Sequence, residues 1–188
     1  LVCRETGIKG EKLKTPAKMS ADDEALLENF FGLYGVTVKE HINVIEGVRT
    51  LAEIKRHITH YRPEVVIIDQ LTQLRENKRF NSIREQFSYM TNTLKAMTME
   101  LDVPIILLAQ INRGGDGKEP TLGDLKESGS IEEDSDNVIM LHQTDESANG
   151  ITPVTAIIRK QRNGAKDVKI ECAYQNEKYI FREIKKNS

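Results

Sequence analysis

Several features that would point to a secreted, a membrane or a strongly basic protein are missing from this sequence. Its two cysteines, Cys3 and Cys172, are far apart in a chain with no secretory signal, so we expect reduced thiols in a cytoplasm. No apolar run approaches the length of a membrane span. The 27 basic and 29 acidic residues leave a net charge of −2, so any contact with nucleic acid must come from local patches or from repetition in an oligomer.

What is present is typical of one globular domain. The chain has 188 residues, of which 38% are apolar and 30% charged, enough for a real core beneath a heavily charged surface. It begins at Leu1 rather than at a methionine, so we expect a fragment of a longer protein.

Residues 65–69 read Val-Val-Ile-Ile-Asp, an apolar run without alternation that ends on a carboxylate. Such a run predicts a strand buried on both faces, as in a parallel sheet covered by helices. Because ligands bind at the carboxyl ends of such strands, Asp69 would lie where an aspartate can hold Mg²⁺ beside nucleotide phosphates. For this motif alone, an ordinary strand that ends on a polar residue is an equally good interpretation.

A second apolar run, residues 103–109, ends on Gln110. Between the two runs, apolar residues recur at steps of four and three from Ile83 to Leu101, which predicts a helix. This order predicts neighbouring parallel strands in an α/β fold. We therefore expect Asp69 and Gln110 at one sheet edge, where the amide could orient a water or contact a γ-phosphate. The alternative is a polar residue that caps the sheet.

Other elements follow from local signals. Ser20 and Thr50 each precede an acidic residue by three positions, the spacing of a helix N-cap. The first of these helices can end at Gly35, and the second should reach about Tyr61. Residues 41–45 alternate like a short strand.

Two charged segments are candidates for phosphate contact. Residues 124–130 mix charge, hydroxyls and glycine ahead of a predicted helix start, whose free N–H groups can hold an anion. On spacing alone this segment is more typical of a solvated acidic turn. A predicted hairpin with an Asn-Gly turn is crowded with cations, namely Arg159, Lys160, Arg162, Lys166 and Lys169. Arginine suits phosphate because its planar fork binds two oxygens, although charged hairpin tips are also common solvated surface features.

Together these motifs resemble the C-terminal motor domain of DnaB-type replicative DNA helicases. The matching stretches, in the family's order and spacing, are Val-Val-Ile-Ile-Asp-Gln-Leu, Ile-Ile-Leu-Leu-Ala-Gln-Ile-Asn-Arg, Asp-Leu-Lys-Glu-Ser-Gly-Ser-Ile-Glu-Glu-Asp-Ser-Asp and Lys-Gln-Arg-Asn-Gly. The resemblance implies a RecA-like three-layer α/β/α fold with a mainly parallel central sheet and a C-terminal β-hairpin. It also implies that residues 1–188 form a single, partial motor domain.

The resemblance implies roles for matching positions. Asp69 matches the Walker B aspartate that holds Mg²⁺, and Gln110 matches a glutamine that senses the nucleotide. Lys160 and Arg162 match the cations that reach the γ-phosphate of the neighbouring subunit. The DNA-binding candidates are Lys126, Glu127, Ser128 and Gly129, in a loop that holds phosphates largely through main-chain amides, and Arg113.

The sequence departs from the family pattern at several points. Lys126 stands where the family usually has arginine, and Gln70 stands where it usually has tyrosine. No G-x-x-x-x-G-K-[ST] phosphate-binding loop occurs in the chain, and the family's catalytic glutamate is expected upstream of Leu1. We therefore predict that the phosphate-binding loop was lost by truncation or proteolysis and that these residues alone do not hydrolyse ATP. An intrinsically inactive homologue is the less favoured alternative.

The resemblance predicts a hexameric, ATP- and Mg²⁺-dependent helicase that moves along single-stranded DNA in the cytoplasm of a bacterium or a phage-infected cell. Primase and a helicase loader are the expected partners, and no membrane is expected. One alternative is a related RecA-like ATPase of the recombinase or circadian-clock type. Another is a non-catalytic DNA-binding or assembly module. The Lys-Gln-Arg hairpin together with Glu-Ser-Gly-Ser favours the helicase.

Overall fold

The structure, a computed structural model, describes residues 1–111, 118–125, 129–144 and 147–185. Its α-helices are α1 (Val2–Thr6), α2 (Gly10–Lys14), α3 (Ala21–His41), α4 (Leu51–Tyr61), α5 (Ile83–Leu101) and α6 (Gly129–Asp134). Its strands are β1 (Val66–Asp69), β2 (Ile105–Leu108), β3 (Asn137–Gln143), β4 (Ile151–Gln161), β5 (Val168–Gln175) and β6 (Ile180–Glu183). None of the helices in these ranges combines the length and the apolar content that crossing a membrane requires.

The chain divides into two compact units. The first contains the described residues of 1–44, 141–157 and 169–188, and the second contains those of 45–140 and 158–168. That the chain is a single, partial motor domain stays a prediction.

The strands β1 and β2 are adjacent and parallel, as the two apolar runs predict. Val66 lies opposite Ile105, and Asp69 lies opposite Leu108. The helix α5 connects the two strands in sequence, so the predicted strand–helix–strand order is confirmed. Both strands therefore end at the same edge of the sheet.

The prediction that β1 is buried on both faces is wrong. Ile68 is buried, but Ile67 is 64% exposed, and in β2 Ile106 is 51% exposed. Successive side chains of a strand point to opposite faces, so one face of this pair packs inward, and Ile67 and Ile106 lie exposed on the other. An unbroken apolar run does not distinguish these two situations, because it supplies apolar side chains to both faces.

The core of the second unit lies against the inward face of β1 and β2. Apolar side chains spaced three or four positions apart on α4 and α5 are buried there, namely Leu51, Ile54 and Ile58 of α4 and Met90, Leu94 and Met97 of α5. Ile83, the first residue of α5, is 62% exposed and stands apart from this stripe. The core therefore fixes the strands whose ends carry Asp69 and Gln110.

The predicted helix starts are confirmed, but two predictions around α3 are wrong. Ser20 and Thr50 both form capping boxes, in which side chain and backbone exchange hydrogen bonds with the residue three positions later. Gly35 does not end α3, which continues to His41. Gly35 is not among the glycines with positive φ, and an interior glycine costs only about 1 kcal/mol. Residues 42–45 form no strand, since none of the strands that the structure describes pairs with them.

A second sheet contains four strands in the order β3-β4-β5-β6. β5 and β6 are antiparallel, with Cys172 opposite Glu183. Together with the parallel pair and the helices, this sheet confirms an α/β fold with antiparallel hairpin structure toward the C-terminus.

Asp23 joins two of the helices of the first unit. Its carboxylate accepts hydrogen bonds from the Ser20 amide at 2.9 Å and from the Ser20 hydroxyl at 2.8 Å, and it forms an ion pair with Lys12 Nζ at 2.5 Å. The Lys12 ammonium, and after it the Ser20 donors, lower the pKa of Asp23 from 3.8 to about 2. The carboxylate thus connects α2 to the start of α3.

This lowered pKa predicts a pH dependence of stability. Because the folded-state pKa lies below the ordinary value, the stabilisation is complete above about pH 4 and is lost as the pH falls through about 2. We expect Asp23→Asn to reduce the free energy of unfolding at pH 6 and to have a much smaller effect near pH 2. Urea titrations of both proteins at the two pH values measure this difference, in which the other carboxyl groups cancel. An equal effect at both values would contradict the assignment.

Candidate functional site

Asp69 and Gln110 lie at the carboxyl edge of the parallel strands. Asp69 is the last residue of β1, and Gln110 follows the end of β2 by two residues. Both residues are exposed, and the peptide bond between Asp69 and Gln70 is cis. No described residue forms a hydrogen bond or an ion pair with the Asp69 carboxylate, so its oxygens are available to a ligand.

The donor set at this edge suits Mg²⁺ held together with a nucleotide. Within the described ranges, no group of three or more His, Cys, Asp or Glu residues is placed to hold a metal ion. Mg²⁺ needs no such cage, because it usually binds one or two carboxylates, several waters and the phosphates of its substrate. A single accessible carboxylate at a strand end fits that requirement, and it does not fit a structural zinc site with four protein ligands.

Lys160, in β4, binds the C-terminal end of α6. Its Nζ donates a hydrogen bond to the carbonyl oxygen of Glu132 and another, at 3.2 Å, to that of Glu133. The last carbonyls of a helix have no partner within the helix, and a cation placed there stabilises them and the negative end of the helix dipole. Gly129 is the first residue of the same helix. Lys160 and one end of the candidate DNA loop therefore lie at opposite ends of a single short element.

Arg162 directly follows β4 and contacts Asp136 twice. Its backbone N–H donates to the Asp136 carbonyl at 2.9 Å, and its Nη1 lies 2.9 Å from Asp136 Oδ1. The other oxygen, Oδ2, accepts a hydrogen bond from Lys95 Nζ of α5. The Lys95 hydrogen bond and the positive charges of Lys95, Arg162 and Lys160 lower the pKa of Asp136. Lys160 and Arg162 therefore both have partners in their own chain.

All three side-chain nitrogens of Arg159 donate hydrogen bonds to groups of its own chain. Its Nε donates to the Pro120 carbonyl at 2.9 Å, Nη1 to Asp167 at 2.8 Å and Nη2 to Glu119 at 3.2 Å. The side chain is only 14% exposed, and Asp167, with Glu119 after it, raises the pKa of Arg159. Arg159 therefore holds the hairpin in place, whereas Arg162, at 57% exposure, can reach a ligand.

The candidate DNA loop is described only at its end. Arg113, Lys126, Glu127 and Ser128 lie outside the described residues. Gly129 opens α6, and a Cβ at this position would lie 3.1 Å from Nη2 of Arg84. This guanidinium beside the loop was not among the candidates from the sequence, because it lies on α5 and only the tertiary fold brings it to Gly129. Lys95 and Asp136 were also not among the candidates, because only the tertiary fold brings them together with Arg162.

Comparisons with known proteins relate this chain to replicative DNA helicases. Residues 1–183 match a family model described as the DnaB-like helicase C terminal domain. The replicative DNA helicase DnaB of Geobacillus stearothermophilus is 30% identical over 175 residues, which are 87% of this chain and 38% of the relative. That of Leifsonia xyli subsp. xyli is 39% identical over 134 residues, 64% of this chain and 29% of the relative.

A solved structure of a DnaB-like replicative helicase, described with its interactions with primase, superposes on this chain. The TM-score is 0.78 and the identity is 27%, over 96% of this chain and 46% of that one. The likeness confirms the predicted RecA-like α/β fold. The chain spans less than half the length of each of these three proteins.

Proposed function

The chain belongs to the family of DnaB-like helicase C-terminal domains, and we propose on that basis that it supplies much of the motor domain of a ring-shaped, ATP-dependent replicative DNA helicase. The observation that carries the proposal is the placement of Asp69 and Gln110 at the carboxyl ends of two adjacent parallel strands. This is the edge at which α/β proteins bind nucleotides.

ATP with Mg²⁺ would supply the phosphoryl group whose transfer to water drives movement of the ring. Asp69 would hold the metal through its accessible carboxylate, and Gln110 would contact the γ-phosphate or the attacking water. The sequence contains no phosphate-binding loop of the G-x-x-x-x-G-K-[ST] type. We therefore propose that these 188 residues contribute to the site without hydrolysing ATP on their own.

Lys160 and Arg162 would act on a nucleotide bound by the neighbouring subunit. Lys160 lies at the end of β4, and Arg162 directly follows it. Neither residue belongs to the parallel strand pair that carries Asp69. Cations that stabilise the charge of a transferring phosphoryl group contribute strongly to turnover. A hexameric ring places such residues in trans at every interface.

Single-stranded DNA would pass along the loop of residues 126–129, with Arg113 as a further contact. Main-chain amides can hold phosphates without a surplus of positive charge, which suits a chain whose net charge is −2. We propose primase and a helicase loader as partners and the cytoplasm of a bacterium or a phage-infected cell as the location. Primase interaction is described for the solved relative.

The experiment that tests the proposed function uses the full-length protein. We expect ATP hydrolysis that single-stranded DNA stimulates, and unwinding of a forked duplex that requires ATP. A protein that hydrolyses ATP but neither binds single-stranded DNA nor separates the strands would contradict the helicase and favour a clock-type ATPase.

Gly129 offers a test of the DNA loop. If main-chain amides hold the phosphates, Gly129→Leu should weaken binding of single-stranded DNA by roughly tenfold, because a side chain blocks close approach and a hydrogen bond to a charged group is lost. Lys126→Ala should have a smaller effect. Fluorescence anisotropy with a labelled oligonucleotide and full-length rings measures both affinities.

Gly123→Ala is the matched control, since among the described residues a Cβ there would meet only Thr121 Oγ1, at an ordinary 3.8 Å. At Gly129 the closest atom is the end of the flexible Arg84 side chain, which can move aside, so the variant should still fold. Unchanged affinity in Gly129→Leu would remove this loop from the DNA interface.

A further inference from the structure

Asp136 has two basic partners on two different elements. Its Oδ1 faces Arg162 Nη1 at 2.9 Å, and its Oδ2 accepts a hydrogen bond from Lys95. Lys95 belongs to α5, where Met90, Leu94 and Met97 are buried in the core of the second unit. The carboxylate therefore connects Arg162 to a helix that is packed into that core.

The contact with Asp136 restrains Arg162 at two points and leaves most of its guanidinium available. The Arg162 backbone N–H is bound to the Asp136 carbonyl, and Nη1 is bound to the carboxylate. Nε and Nη2 form no hydrogen bond or ion pair with any other described residue, and the side chain is 57% exposed. Arg159, by contrast, is 14% exposed and uses Nε, Nη1 and Nη2 within its own chain.

The charges of the cluster also suit a role in phosphate recognition. Lys95 and Arg162 carry two positive charges against the single negative charge of Asp136, so the cluster keeps a net charge of about +1 and still attracts an anion. An arginine side chain loses much rotational freedom when it binds a ligand. Holding one nitrogen beforehand reduces that loss and fixes the direction of the planar fork.

We propose that Asp136 is a positioning residue for Arg162. It holds the guanidinium through Nη1 and directs Nε and Nη2 outward, toward a phosphate on the neighbouring subunit. Lys95 orients the carboxylate that does this. The inference rests on the proposed function of Arg162 as a trans-acting cation.

The test is steady-state ATP hydrolysis by full-length rings that carry Asp136→Asn, which keeps the shape of the side chain and removes its charge. We expect kcat to fall about tenfold, less than the roughly hundredfold that a 1 Å misplacement can cause, with KM for ATP within about twofold of the original. Asp136→Glu should restore part of the activity. Asp134→Asn is the matched control, because Asp134 is also an acid of this segment but binds the Thr91 hydroxyl at 2.5 Å instead.

A double variant separates positioning from a structural role. In an Arg162→Ala background, Asp136→Asn should cause no further loss of kcat, because the group that it positions is gone. A further tenfold loss in that background would overturn the inference, as would an unchanged kcat in Asp136→Asn rings. If Arg162→Ala itself leaves turnover unchanged, the proposed trans-acting role fails instead.

A second variant covers the case in which Asp136→Asn does not assemble into rings. Lys95→Met removes the partner that orients the carboxylate and keeps an apolar stem of similar length. We expect a fall in kcat of about threefold, again without a matching change in KM and again absent in the Arg162→Ala background. Full activity in assembled Lys95→Met rings would then overturn the inference.

Discussion

Replacing Arg162 with alanine in the full-length protein is expected to reduce ATP turnover by roughly a hundredfold or more. Arginine fingers contribute about 10³ to 10⁵ in turnover in the phosphoryl-transfer systems in which they are known. Arg162 is suited to this role because it follows β4 directly, is 57% exposed and uses only one of its side-chain nitrogens in the contact with Asp136. Nucleotide binding should change much less than turnover, since the finger acts mainly on the transition state.

Turnover and nucleotide affinity are measured separately, by steady-state hydrolysis and by titration with a fluorescent ATP analogue. Lys166→Ala is the control, because Lys166 is an exposed cation of the same hairpin. It should leave turnover within about twofold of the original. Equal losses in the two variants would indicate that the hairpin contributes only a general positive charge.

Asp69→Ala in the full-length protein is expected to abolish ATP hydrolysis and to leave the fold intact. The carboxylate is the proposed Mg²⁺ ligand, and metal-bound phosphate oxygens carry much of the charge that develops during transfer. The fold should tolerate the change because Asp69 is exposed and its carboxylate has no partner among the described residues.

The matched control for Asp69 is Asp22→Ala, which removes an exposed carboxylate from the first turn of α3. Both variants should keep the circular dichroism spectrum and the unfolding midpoint within a few degrees of the original, since a surface substitution usually changes stability by no more than about 0.5 kcal/mol. Hydrolysis should be lost only in the first. If Asp69→Ala retains a tenth or more of the activity, Asp69 does not hold the metal.

The parts of the fold that the sequence predicts well have local causes. The N-caps at Ser20 and Thr50 depend on residues three positions away, and the α5 stripe repeats within a single helix. The parallel pairing of β1 and β2 follows from strand, helix and strand in succession. The caps and the stripe lie within a short window of sequence, and the pairing requires only the order of consecutive elements along the chain.

The wrong predictions mostly depend on which other elements of the fold lie next to a residue, and a short stretch of sequence does not contain that information. Whether Ile67 and Ile106 are covered depends on which layers lie against the sheet, and residues 42–45 would need a partner strand to extend. Gly35 remains within α3 because the free-energy cost of one interior glycine is small compared with the stability of the helical residues on both sides of it.

The candidate site likewise has some features that the sequence predicts and others that it does not. Asp69 and Gln110 could be placed at one edge because parallel strands end together, and that edge is observed. The contact of Arg162 with Asp136, and of Asp136 with Lys95, could not be predicted, since no periodicity or order of elements indicates it and only the folded chain brings these side chains together. For the same reason the sequence does not separate Arg159, which is held by three groups of its own chain, from the exposed Arg162.

The central claim is that this chain supplies Asp69 to one nucleotide site and Arg162 to the next, and mixing subunits tests it most directly. Arg162→Ala subunits keep Asp69, and Asp69→Ala subunits keep Arg162, so each alone should form inactive rings. In mixed rings, some interfaces join an intact Asp69 to an intact Arg162, and we predict that partial ATP hydrolysis returns. Mixed rings that demonstrably assemble and still do not hydrolyse ATP would contradict the claim that Arg162 acts in trans.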